Sequence, residues 1–100
     1  MAALNLSIPH SLGQVEAQVR LERFLEQIRT QHAAELNDVR GGWTANVLEI
    51  ELDIRGIGIA GRMVVEETHV HVSGPLPLAA MFFRGRIEQT IRGEIERALS

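Results

Sequence analysis

In Val47-Leu48-Glu49-Ile50-Glu51-Leu52-Asp53-Ile54, apolar and acidic residues alternate without a break. Leu48, Ile50, Leu52 and Ile54 take one face, and Glu49, Glu51 and Asp53 the other. A period of two belongs to a strand, and alternation this strict predicts a sheet with one wet and one buried face. The stretch sits in a predicted meander of four antiparallel strands between Val39 and Ser73. Two-residue turns at Ala45-Asn46, Arg55-Gly56 and Glu66-Glu67 keep every apolar set on one side. The first turn predicts the pairs Trp43–Leu48, Gly41–Ile50 and Val39–Leu52. The second predicts Ile54–Ile57, Leu52–Ile59 and Ile50–Gly61, and the third Met63–Val70 and Gly61–Val72. A slip of one residue at any turn would carry charge into the core. Gly56 and Asn46 tolerate the positive φ of tight hairpins. Glu66-Glu67 suits such a turn poorly, which leaves room for a loop longer by a residue or two.

The flanking segments add one strand and two helices. Leu4, Leu6 and Ile8 alternate with Asn5 and Ser7 as a short first strand, stopped by Pro9. Ser11 and Gln14 are spaced as a capping box, predicting a helix from about Leu12 to Glu35 with Gly13 in its first turn. Its apolar stripe is Val15, Leu21, Phe24, Leu25 and Ile28, reaching towards Leu36. After Ser73, Gly74-Pro75-Leu76-Pro77 leads to a second helix from near Leu78 to Leu99. Phe83, Ile87, Ile91, Ile95 and Leu99 recur every fourth residue on its core side. The predicted architecture is α+β, in the order β-α-β-β-β-β-α. One antiparallel five-stranded sheet, with the first strand beside the last, carries both helices on one face, in the manner of a reduced helix-grip arrangement.

One hundred residues make one domain, long enough to bury a modest core without staples. Without cysteine, no disulfide, thiolate nucleophile or thiolate metal ligand enters the account. The net charge of −3, with acids and bases interspersed, offers nucleic acid no extended basic field. No apolar run approaches the roughly 20 residues of a membrane helix, and no signal peptide is expected from the first residues. A cytoplasmic protein without a cofactor is the expectation.

Four constellations could carry function. On the wet face the registers set Glu49 opposite Arg62 and Arg62 opposite His71, with Arg40 facing Glu51 and Val64 facing His69. Such a row could do acid–base work. Cross-strand ion pairing on a solvated sheet explains it more simply, at roughly 0.2–1 kcal/mol per pair. His69 and His71 point the same way and could chelate a metal, but zinc wants further ligands. Glu66, Asn5 or Ser7 would have to supply them, so no metal site is assigned. His10 and His32 are expected at the surface, at helix ends. On the inner face Gly41 and Gly61 fall in the row Gly41–Ile50–Gly61–Val72. They either admit a helix closely or leave an apolar pocket among Phe24, Trp43, Ile50 and Met63. Finally, Leu76-Pro77-Leu78-Ala79-Ala80-Met81-Phe82-Phe83 holds more large apolar residues than one helix face can bury. Leu76, Leu78, Met81, Phe82 and Phe83 form either a broad core contact or an exposed surface for a partner.

The opening Ile8-Pro9-His10-Ser11-Leu12-Gly13, with Trp43, the Gly61-Arg62-Met63 strand and Phe83-x-x-x-Ile87-Glu88-x-x-Ile91, resembles the polyhydroxyalkanoic acid system family. The resemblance runs in order over nearly the whole chain. It implies a bacterial cytoplasmic protein tied to polyhydroxyalkanoate granules or their regulation, and it carries over no catalytic residue. The strands through Leu52-Asp53-Ile54-Arg55-Gly56-Ile57 are a few residues longer than the family pattern. The leading expectation is a non-enzymatic interaction protein that meets a homodimer partner, a granule protein or the polyester surface through Leu76–Phe83. The alternative is a small carrier holding a fatty or hydroxyacyl chain beneath Gly41 and Gly61.

Overall fold

The computed structural model describes residues 3–31, 40–54, 57–76 and 78–100, with the backbone alone at 52–54, 57, 59 and 78–80. The elements are β1 (Ala3–Pro9), α1 (Gln14–Gln31), β2 (Arg40–Thr44), β3 (Val47–Ile54), β4 (Ile57–Val65), β5 (His69–Pro75), a 3-10 segment (Leu78–Phe83) and α2 (Arg84–Leu99). The five strands form one antiparallel sheet in the order β1-β5-β4-β3-β2, the topology expected from sequence. The expectations at Val39, Leu36, His32 and the Arg55-Gly56 turn lie outside the described residues.

Two of the three registers are as read from the turns. Trp43 pairs with Leu48 and Gly41 with Ile50, and across the second hairpin Ile54 pairs with Ile57 and Ile50 with Gly61. In the first turn the left-handed residue is Ala45 (φ 53°) rather than Asn46. Asn46 instead uses its side chain, donating from Nδ2 to the Val65 carbonyl at 2.8 Å.

The third register is shifted by two residues. Met63 pairs with Val72 rather than Val70, Arg62 with Ser73 rather than His71, and Val64 with His71 rather than His69. A shift of two keeps each side chain on its face, so the alternation could not have detected it. The cause is the longer connection Glu66–Thr68, closed by Glu66 N–H donating to the His69 carbonyl at 2.8 Å.

This connection is clasped by the residues that lead into α1. His10 N–H donates to the Thr68 carbonyl at 2.9 Å. His10 Nδ1 accepts from Leu12 N–H at 3.2 Å, which leaves the ring proton on Nε2, 2.9 Å from the Glu66 carbonyl. His10 is half-buried and joins two loops, where a surface position was expected. The capping box is also replaced. Gly13 (φ 81°) precedes the helix, its carbonyl accepts from Ala17 N–H, and the Gln14 amide donates to Glu67 Oε2 at 3.2 Å. The donor is the Gln14 backbone N–H, so the cap comes from a residue distant in sequence, where Ser11 was expected. Replacing Glu67 by Ala is expected to cost about 1 kcal/mol, the usual worth of a helix cap, with Glu67→Gln intermediate because its amide oxygen still accepts. Urea unfolding of the two variants checks the order.

Among the described residues the buried side chains form one cluster. Ile8, Ala17, Leu21, Val65 and Val70 are fully buried, with Leu4, Leu6, Leu48, Met63, Ile95 and Leu99 close behind. Both helices contribute to this one cluster, so both lie on the inner face. Along α2, burial rises from Phe83 at 57% exposed, through half-buried Ile87 and Ile91, to Ile95 at 3%. Along α1 it falls from Ala17 and Leu21 to half-buried Leu25 and Ile28. The start of α1 and the end of α2 thus close one end of the core, joined by Arg20 Nη1 donating to the Leu99 and Ser100 carbonyls.

Val15, expected in the core stripe, is 78% exposed. The inward positions of the first two turns are Gln14, Ala17, Gln18 and Leu21, spaced i, i+3, i+4, i+7. Gln14 and Gln18 use their amides on the Val65 and Ala45 carbonyls at 3.2 and 2.8 Å. Polar side chains satisfy the strand ends there, so the neighbouring valine faces solvent.

Candidate functional site

The apolar surplus follows the last strand of the sheet. Leu76 follows β5 and packs half-buried against the core. The next residues form the 3-10 segment rather than the first turns of α2, which begins only at Arg84. Pro77 and the Leu78 side chain lie outside the described residues. A 3-10 turn holds three residues, so the every-fourth-residue stripe of α2 is not continued backwards into it. Phe83 is consequently the N-cap of α2, without a side-chain capping bond, and not a core position. Met81 is 44% exposed, Phe82 90% and Phe83 57%. Of the two readings open at Leu76–Phe83, the structure puts Leu76 with the core and Met81, Phe82 and Phe83 at the surface.

The six expected pocket residues do not all converge on one cavity. Gly41, Trp43 and Ile50 line a cleft of about 200 Å³ between α1 and the β2–β3 edge, together with Leu25, Ile28 and Leu48. Phe24 lies on another flank of α1, in an open groove shared with Arg20 and Arg97. Met63 is buried in the core. Gly61 borders an open depression of about 500 Å³ that it shares with Gly41 and Ile50, but this one is rimmed by Glu49, Glu51, Arg40 and Arg62 and so is not an apolar pocket. The two glycines also differ in cause. Gly41 has φ +107°, and a Cβ there would collide with the Glu49 carbonyl. Its missing side chain answers to the backbone, not to a helix above it. At Gly61 an added Cβ meets nothing within 4 Å.

On the wet face the acid–base row is interrupted. Arg62 reaches Glu49 at 3.9 Å and Arg40 reaches Glu51 at 3.7 Å, both pairs exposed. With Ser73 opposite Arg62, His71 turns instead to Glu66, with Nε2 3.3 Å from Oε1. Exposed pairs at such distances are worth little beyond local order. The rings of His69 and His71 stack at 6.0 Å, and His69 Nδ1 is engaged by the Thr68 hydroxyl at 2.8 Å. Among the described residues no group of three or more His, Asp or Glu has the geometry to hold a metal ion. None of their helices is long and apolar enough to cross a membrane.

Sequence reasoning missed the clasp made by His10, Gln14, Glu66 and Glu67. The signal available was the motif Ile8-Pro9-His10-Ser11-Leu12-Gly13, whose histidine and glycine now have structural duties.

A family model described as polyhydroxyalkanoic acid system protein matches residues 4–99. No curated protein and no solved structure matches the chain.

Proposed function

Since the chain belongs to the polyhydroxyalkanoic acid system protein family, we propose that it is a non-enzymatic interaction protein of the cytoplasm, acting at polyhydroxyalkanoate granules through Met81, Phe82 and Phe83. The observation that carries this reading is the 90% exposure of Phe82, flanked by two further exposed apolar side chains. Three such neighbours form a patch of the kind that marks contact sites, whereas apolar residues scattered singly need no explanation. The wet face, with its exposed and long ion pairs, offers no comparable convergence of groups.

Phe82→Asp is the direct test. The variant is expected to fold normally and to lose at least about tenfold in granule association, since removing an inserted phenylalanine forfeits about 1.5–3 kcal/mol. Fractionating granules from cells that produce each form, with size exclusion of the soluble pool, reads both association and oligomeric state. If Phe82→Asp leaves both unchanged, the reading fails.

The carrier reading is favoured by one observation, the cleft beside Trp43. Since Trp43 is the only tryptophan, ligand entry should change its fluorescence. Titration with decanoic acid that leaves the emission unaltered would remove this reading.

A further inference from the structure

The residues that follow the aromatic segment are unusual for the start of a helix. A helix amino terminus favours acidic side chains and disfavours cations. The first turn of α2 has no acid and instead carries Arg84 and Arg86. Arg84 pairs with Glu88 at 2.8 Å, with the cation on the amino-terminal side, the less favourable order for a helical pair. Among the described residues no carboxylate lies within ion-pair reach of Arg86. Arg84, Arg86 and Arg92 against Glu88 leave residues 84–92 at +2, in a chain of net charge −3. Residues 81–86 are all exposed, so the apolar patch and these cations share one stretch of surface. Helix stability does not call for arginines here. A negatively charged partner does.

The size of the patch also bears on the occupant. Fully burying an aromatic side chain covers roughly 150–250 Å², so Met81, Phe82 and Phe83 at their present exposures offer on the order of 400 Å². A stable protein interface takes about 800 Å² from each side. A second copy seated on this patch alone would fall well short. An interfacial layer needs no matching partner surface. It takes apolar side chains below the headgroups and guanidinium groups among them, where the planar fork pairs with phosphate oxygens.

We propose that residues 81–86 form an interfacial anchor for anionic phospholipid, with Met81, Phe82 and Phe83 entering the acyl boundary while Arg84 and Arg86 engage headgroup phosphates. This rests on Met81–Phe83 being the contact surface, and it adds that the surface contacted is lipid-coated and negative. Flotation of the full chain with vesicles of phosphatidylcholine, with and without phosphatidylglycerol, tests it beside sedimentation with bare polyhydroxybutyrate particles. Wild type is expected to bind phosphatidylglycerol vesicles at least about tenfold more strongly than phosphatidylcholine alone, with the preference lost at high salt. Arg86→Gln should weaken that binding about fivefold, and Phe82→Ser should abolish it while the thermal midpoint holds. Equal binding to both vesicles, or an unchanged Arg86→Gln, overturns the anchor. If bare particles still bind in a Phe82-dependent way, the contact surface itself survives that failure. If neither vesicles nor bare particles bind in a Phe82-dependent way, both fail. A chain that self-associates through Phe82 and ignores vesicles also overturns the anchor, in favour of a dimer contact.

Discussion

Leu21→Ala is expected to lower the unfolding free energy by about 3 kcal/mol, within the 2–5 kcal/mol span of buried leucine truncations. Leu21 is fully buried where α1 meets the inner face of the sheet, in one cluster with Ile8, Val65 and Val70. Truncation removes the transfer energy of the lost methyl groups and leaves a cavity that strands on one side and a helix on the other cannot easily close. For a domain of this length each kcal/mol moves the thermal midpoint by about 4–8 °C, so a fall of about 12–24 °C should be seen by calorimetry. Val15→Ala is the control. Both valine and leucine fit a helical apolar stripe by spacing, but Val15 is 78% exposed, and its truncation should stay within about 0.5 kcal/mol. Equal losses at the two positions would mean that α1 is rotated from the orientation described.

Gly41→Ala should be the more damaging of two glycine substitutions that look alike in sequence. Gly41 and Gly61 both lie opposite Ile50 on the inner side of the sheet. At Gly41, φ is +107°, where a side chain is strained, and the new Cβ would drive into the Glu49 carbonyl of the paired strand. Backbone strain of this kind costs about 1–3 kcal/mol, and separating β2 from β3 adds to it. A loss of about 3 kcal/mol is expected, with hydrogen exchange in β2 rising more than in β1. At Gly61 the added methyl meets nothing within 4 Å. Removing a glycine from a strand interior there is expected to stabilise the fold by about 0.5–1 kcal/mol. Opposite signs at two inward glycines in adjacent registers would be hard to obtain from any other pairing of these strands.

These contrasts mark what the sequence could and could not disclose. The alternation at Val47–Ile54 made the sheet, its buried face and two of its three hairpin registers legible, because charge in the core forbids every slip by one residue. It could not fix the third hairpin, where a slip by two is silent on both faces. There the decision belongs to Glu66 and Glu67, whose backbone and carboxylate serve His10 and the start of α1. A tertiary demand of that kind leaves no local turn signature. Val15 was misread for a related reason: two glutamines occupy inward positions and satisfy strand-end carbonyls, which a count of apolar residues overlooks. Phe83 fell on a continuing four-residue spacing, but spacing alone does not reveal where an α-helix gives way to a 3-10 turn. The surplus of apolar residues at Leu76–Phe83 was visible from sequence. Its division between a half-buried Leu76 and an exposed Phe82 was not.

Phe82 and its neighbours are proposed to serve a contact rather than the core. The most direct measurement is a binding isotherm of wild type and Phe82→Asp on purified polyhydroxyalkanoate granules, taken together with the urea unfolding curve of each. Equal stability is expected, within about 0.5 kcal/mol, with at least about tenfold weaker binding by the variant. A variant that binds as tightly as wild type, or that loses the 3–5 kcal/mol typical of a buried phenylalanine, would contradict it.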